Sequence, residues 1–331
     1  MKATTLISLI LLPLFAVSQA MPPNGKLIDV GGYKLHVDVR GQGSPAVIMI
    51  AGSQAFSIDW ALVAPEIAKV TKSVTYDRPA LAWSDAGPLP RTFNQDVYEL
   101  HVLLQKAGVK PPYILVGHSL GGIIARLYEK KYPSDVKGLV LVDATSEDTK
   151  LFINGKIQRM RDFNQNRVIP PLKTRVDTLT KIPTMKELED AWKMMGEPKI
   201  ESPFDKLPPR YQQQRIWAMR QPKILLADNG GYWGEEFAGL YADSTYSLGN
   251  KPVYVLTSGR DAFSTDQDSA MKAIWIEKIE QKEKMSKLSN NSKHIITTKS
   301  GHEIHLTEPE LVINAINEVI ICIRTAKPLK K

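Results

Sequence analysis

The stretch Val116-Gly117-His118-Ser119-Leu120-Gly121-Gly122 joins the end of an apolar strand to the start of an apolar helix through a serine set between glycines. Residues 114–116 are continuously apolar, and Ile123, Ile124, Ala125 and Leu127 begin a pattern at helical spacing. A serine at so tight a strand-to-helix turn has a strained backbone, and residues two positions away approach too closely for a Cβ, which Gly117 and Gly121 avoid. Such a nucleophile elbow lifts Oγ clear of the sheet beside the positive end of a helix, where backbone N–H groups can stabilise an oxyanion.

The rest of the chain supplies the sheet that an elbow requires. Residues 28–30 and 33–39 read as an antiparallel hairpin around Gly31-Gly32. Apolar strands are then expected at 46–50, 74–76, 113–116, 138–142, 253–256 and 294–298, with helices at 60–69, 94–107, 123–132 and 308–324. Continuous apolar strands alternating with helices indicate an α/β fold with a mainly parallel, doubly wound sheet covered on both faces. Ligands in such sheets bind at the carboxyl ends of the strands. Between 149 and 250 prolines, basic residues and aromatics such as Trp192, Trp217 and Trp233 replace this rhythm, and the segment reads as a mostly helical cap. The expected organisation is a signal peptide over 1–20, an α/β core over 21–148 and 251–331, and a cap over 149–250.

The leader carries Met1-Lys2, an apolar run from Leu6 to Val17 and small residues ending at Ala20, the pattern of a cleaved secretory signal. Export to a periplasm or the exterior is the expectation. A single cysteine, Cys322, excludes an intramolecular disulfide, and its isoleucine neighbours assign it to packing. The net charge of +8 comes from scattered lysines and arginines. It implies a solvated basic surface with weak attraction to anionic membrane surfaces, and no nucleic-acid partner. No Cys-x-x-Cys pair, His-Glu-x-x-His helix or phosphate-cradling glycine loop occurs, so neither metal nor cofactor is expected.

A serine hydroxyl needs a neutral histidine as base, and the histidine needs a carboxylate to orient it. Of six histidines, His302 in Lys299-Ser300-Gly301-His302 follows the last expected strand, at the same sheet edge as Ser119. His118 should point away from Oγ and support the structure; His305 should pack; His36, His101 and His294 are assigned no chemistry.

These segments, with Tyr76-Asp77-Arg78-Pro79 and Leu139-Val140-Leu141-Val142-Asp143, make the chain resemble the α/β-hydrolase superfamily, in its capped, serine-nucleophile branch. The resemblance implies oxyanion donors in the backbone N–H groups of Ser53 and Leu120. It also implies a triad acid after the strand at 253–256, where Asp261 lies one residue ahead of the family's usual position, occupied here by Ala262. A variant of the family takes its acid from the end of the preceding strand, which is Asp143 here. Asp261 is the first expectation and Asp143 the alternative, with Asp266 and Asp268 behind them. Two further departures stand out: Ala51 precedes Gly52 where the family usually has histidine, and Ala80 and Ala82 stand where it usually has glycines, which should stiffen that loop.

Serine selects the reaction class, because attack on a carbonyl gives an acyl-enzyme that water can cleave, whereas attack on an epoxide would leave a stable ether. The expected activity is hydrolysis of a small-molecule carboxylic ester or thioester without a cofactor. The alternatives are amide or carbon–carbon bond hydrolysis on the same triad, or a non-catalytic ligand-binding member of the fold.

Overall fold

The computed structural model describes residues 22–153, 156–228, 231–260 and 269–329. The leader over 1–20 and the carboxylates Asp261, Asp266 and Asp268 lie outside the described residues. In chain order the strands are β1 (Lys26–Asp29), β2 (Lys34–Arg40), β3 (Ala46–Ile50), β4 (Ser73–Tyr76), β5 (Tyr113–His118), β6 (Val136–Val142), β7 (Lys150–Ile153), β8 (Lys156–Arg159), β9 (Val253–Ser258) and β10 (Ser292–Thr297). The helices are α1 (Ala64–Ala68), α2 (Phe93–Lys106), α3 (Leu120–Lys131), α4 (Met185–Met195), α5 (Pro209–Met219), α6 (Trp233–Ala242), α7 (Ser269–Ser286), α8 (Ile304–Thr307) and α9 (Pro309–Thr325).

Eight strands form one sheet in the order β1-β2-β4-β3-β5-β6-β9-β10, antiparallel at β1-β2 and β2-β4 and parallel beyond. The central strands β3, β5 and β9 are buried along their whole length, which is why they read as continuous apolar runs rather than alternating ones. One face of the sheet packs on α2 and α3 through Leu100, Leu104, Ile123 and Tyr128, the other on α1 and α9 through Ile67, Ile316 and Val319. With both faces closed, the carboxyl edge is where loops from β3, β5, β6 and β9 meet.

The segment after β6 carries α4, α5 and α6, but also the two-stranded β7-β8 hairpin, which a mostly helical reading did not anticipate. Its Asn154-Gly155 dipeptide is a strong short-range hairpin signal. The segment sits against the loops after β3 and β4, with Ala218 and Ala227 buried against Phe56, Leu81 and Trp83, and Trp83 stacked on Trp217 at 5.3 Å. An ion pair between Arg215 and Asp59 at 2.5 Å, almost fully buried, fixes α5 to the loop after β3. Ala80 and Ala82 both adopt left-handed backbone, at φ 67° and 39°. The loop after β4 therefore keeps a glycine-like path with alanines in it, at a cost of roughly 1 kcal/mol each.

Among the described residues no helix is long and apolar enough to cross a membrane.

Candidate active site

Ser119 stands between the end of β5 and the first turn of α3 at φ 52° and ψ −123°, outside the comfortable range of an L residue. The surroundings hold it there. Its N–H donates to the Val142 carbonyl at 3.2 Å, and its own carbonyl accepts from Thr145 N–H at 2.9 Å and Gly122 N–H at 3.0 Å. The two glycines are steric requirements: a Cβ on Gly117 would lie 2.5 Å from the Gly121 oxygen, and one on Gly121 only 2.2 Å from the Ile50 oxygen. The elbow is thus wedged against the ends of β3 and β6, and Ser119 itself is half-buried.

His302 follows β10, and its Nδ1 lies 2.5 Å from Oδ2 of Asp143, at the end of β6. The histidine side chain is 45% exposed and the carboxylate 2%, so the ring faces the open side of the site while its anchor is inside. A carboxylate on Nδ1 fixes the ring proton there and leaves Nε2 as the lone-pair nitrogen. Asp143 is itself pinned. Its N–H donates to the Leu256 carbonyl at 2.8 Å, and its Oδ1 accepts from the Ser258 N–H at 3.1 Å and from the ammonium of Lys282 on α7. Burial alone would raise this carboxyl, but the Lys282 charge and the His302 bond outweigh it and hold Asp143 well below the usual carboxylate range.

The segments carrying Ser53 and Leu120, whose N–H groups the sequence offers as oxyanion donors, both run beside Ser119. Leu120 opens α3, where the first-turn N–H groups have no carbonyl to meet within the helix. The loop bearing Ser53 runs directly past the nucleophile: a Cβ on Gly52 would sit 3.1 Å from Ser119 Cβ. This loop is braced by Arg78, which donates to the carbonyls of Ala51 at 2.6 Å and Gly52 at 2.7 Å and forms an ion pair with Asp228 at 2.9 Å. Asp228 also accepts from Gln54 N–H at 2.6 Å and Ser53 Oγ at 3.2 Å. Burial would raise Asp228, yet Arg78 brings it below its ordinary value, so the pair is ionic. Neither Asp228 nor Lys282 carries a sequence motif. Each meets its partner across more than a hundred residues, at 150 and 139 positions respectively.

Behind His302 lies a second layer. His118 Nε2 is 3.1 Å from the His302 carbonyl oxygen and 3.4 Å from Glu303 Oε2, and its ring is 4.6 Å from that of His302. Burial pushes His118 down to about 4, so it is neutral and acts as a brace for the His302 loop. His305 is buried between His118 and Trp60, at ring distances of 4.5 and 4.7 Å, and burial holds it well below its ordinary value. His118, Glu303 and His305 bring one candidate ligand atom each within 4.8 Å. Within this group Glu303 Oε2 lies 3.4 Å from His118 Nε2 and 3.7 Å from His305 Nε2, and His305 Nδ1 is buried without a hydrogen-bond partner among the described residues. His36, on β2, is bound to Asp77 at 2.7 Å, and His294 to Thr257 Oγ1 at 2.8 Å.

Comparison with known proteins agrees with this architecture. The model of the alpha/beta hydrolase fold family matches residues 45–309. An AB hydrolase superfamily protein of Gibberella zeae is 23% identical over 307 residues, covering 88% of this chain and 92% of that one. YqjL of Bacillus subtilis is 34% identical over 128 residues, which is 38% of this chain and 51% of its own. The chain spans about half or less of several such curated relatives. Among solved structures, an esterase from Thermogutta terrifontis superposes with a TM-score of 0.60 at 18% identity, covering 89% of this chain and 98% of that one. The epoxide hydrolase CorEH gives 0.60 at 14% identity, over 90% and 99% of the two chains. At these identities the likeness is one of fold.

Proposed function

Because the chain belongs to the α/β-hydrolase fold family and is built as a hydrolase, we propose that it cleaves carboxylic esters through an acyl-enzyme on Ser119, with His302 as base and Asp143 as the acid that orients it. The observation that carries this reading is the 2.5 Å contact between His302 Nδ1 and a buried Asp143, at the sheet edge where Ser119 is held in its strained elbow. It favours Asp143 over Asp261, which the family's usual arrangement put first.

In the proposed cycle His302 Nε2 takes the hydroxyl proton as Ser119 Oγ attacks the ester carbonyl, and the backbone N–H groups of Leu120 and Ser53 receive the developing oxyanion. Collapse expels the alcohol, which leaves with the proton from His302. A water, deprotonated by the same nitrogen, then attacks the acyl-enzyme and regenerates Ser119. Asp143 stabilises the imidazolium formed in each half-reaction without taking its proton. An epoxide-opening route, the chemistry named for CorEH, is disfavoured here because the resulting ether on Ser119 would have no means of cleavage. We further propose that residues 1–20 direct export before catalysis takes place.

The test is hydrolysis of p-nitrophenyl esters of increasing acyl length by the wild type and Ser119→Ala. The proposal expects turnover by the wild type and a loss of at least about a thousandfold in the variant. Equal rates for the two proteins at every acyl length would overturn it.

A further inference from the structure

The acid of the proposed triad does not serve the histidine alone. Lys282 projects from α7 to the Asp143 carboxylate, and the pair is buried, with side chains 7% and 2% exposed. The two oxygens are divided: Oδ2 faces His302 Nδ1, while Oδ1 receives Lys282 and the Ser258 N–H. Lys282 is held in place by its helix. Gln281 beside it donates to the Asp148 carbonyl at 2.9 Å and to Glu277 at 3.1 Å, and Glu277 pairs with Lys150 and, at 2.8 Å, with Arg159 of the β7-β8 hairpin.

Resting on the triad reading above, we propose that Lys282 is a positioning residue that sets the charge of the Asp143–His302 pair, and so the lowest pH at which His302 is available as base. With Lys282 present, the carboxylate is neutralised before the histidine takes a proton, and protonation leaves a net positive charge in a site closed to water on that side. Without Lys282 the same protonation yields a neutral ion pair and becomes easier. The enzyme as built therefore keeps its base unprotonated further into the acid range.

Other charged and titratable groups around the pair do not take over this role. His118 at the end of β5 is held neutral by burial, and Glu303 lies against His118 and His305 rather than Asp143. His294 on β10 is bound to Thr257 and is lowered by burial, with Glu283 on one side and Lys282 on the other. Arg260, after β9, is an exposed residue whose guanidinium lies against Gly301, on the chain leading into His302. Lys282 is a buried cation in direct contact with Asp143. At an effective dielectric near 20, a cation one carboxylate away from the imidazole is worth roughly two pH units, and solvent over the 45% exposed His302 ring screens this to about one.

The experiment compares wild type, Lys282→Gln, Lys282→Met and Lys282→Arg in two readouts. One is the acid limb of kcat/KM for a p-nitrophenyl ester. The other is the titration midpoint of the His302 ring followed by NMR with labelled histidine, assigned by its loss in His302→Ala. Both should move up by about one pH unit in Lys282→Gln and Lys282→Met, and return in Lys282→Arg. The methionine variant, apolar and of similar length, serves if glutamine disturbs folding. Midpoints within a few tenths of wild type in a folded uncharged variant would overturn the proposal, as would Lys282→Arg behaving like Lys282→Gln. The NMR titration needs no turnover. An inert wild type with a shifted midpoint would refute ester hydrolysis while sustaining the role of Lys282, and an active one with a fixed midpoint would do the reverse.

Discussion

Replacing Asp143 by asparagine separates what this residue does for stability from what it does for catalysis. Asparagine keeps the shape and can still accept the Ser258 N–H, but it removes the charge that two cationic or potentially cationic groups share. Lys282, with a side chain 7% exposed, is then left without a counter-ion in the interior. Stranding one member of a buried ion pair costs about 3–5 kcal/mol, far more than a surface pair would, because desolvation is no longer offset. Asp143→Asn should therefore unfold at markedly lower denaturant concentration. Adding Lys282→Met removes the stranded charge and should return stability to within about 1–2 kcal/mol of wild type, since an apolar replacement of a buried pair is often neutral. Activity should behave differently: both variants should lose about a thousandfold or more in kcat, because neither restores a carboxylate to His302 Nδ1. Urea unfolding followed by fluorescence, paired with ester kinetics on each protein, gives both numbers. Asp143→Asn as stable as wild type would refute the placement of Lys282 on this carboxylate. Full activity in Asp143→Asn, with loss in Asp261→Asn, would refute the choice of acid.

The brace under the oxyanion loop and the buried acid at α2 give two further expectations. Asp228→Asn removes the ionic partner of Arg78 and loosens the loop carrying Ser53, so kcat should fall about tenfold or more with little change in KM, as for a group acting through the transition state; a change confined to KM would contradict this. Glu236 accepts from the Phe93 N–H at 2.7 Å in the first turn of α2, and burial lifts its carboxyl to about 8 from an ordinary 4.5. Its folded value lies above the unfolded one, so the folded state prefers it protonated: there is no penalty below about 4.5, and stability declines as pH rises from there through 8. Glu236→Gln should remove that decline and be more stable than wild type at pH 8 by on the order of 4 kcal/mol, with parallel stability–pH curves counting against the assignment.

Much of this site was legible because steric and chemical demands fall on neighbouring residues. Gly117 and Gly121 have no room for a Cβ, and Ser300-Gly301-His302 follows a strand that its own apolar residues identify. The sheet was legible for the same local reason. The proposed acid was not, because aspartates follow both of two neighbouring strands, β6 and β9, and what favours Asp143 is a contact from His302 and a lysine on α7. Arg78 belongs to a readable motif, but its partner Asp228 lies in a segment with none. The β7-β8 hairpin was missed although Asn154-Gly155 marks it, since the surrounding prolines and aromatics pointed to a helical cap. Ala80 and Ala82 show the converse, residues whose type gives no sign of the left-handed backbone that the packed loop imposes on them.

The central claim is that Ser119 is a nucleophile activated by His302. The most direct measurement is the rate and site of labelling by a fluorophosphonate, read by intact mass and peptide mapping. The account predicts one label per chain, on Ser119, absent in Ser119→Ala and slowed by orders of magnitude in His302→Ala. A folded protein that takes no label at Ser119, or takes it equally fast without His302, would contradict it.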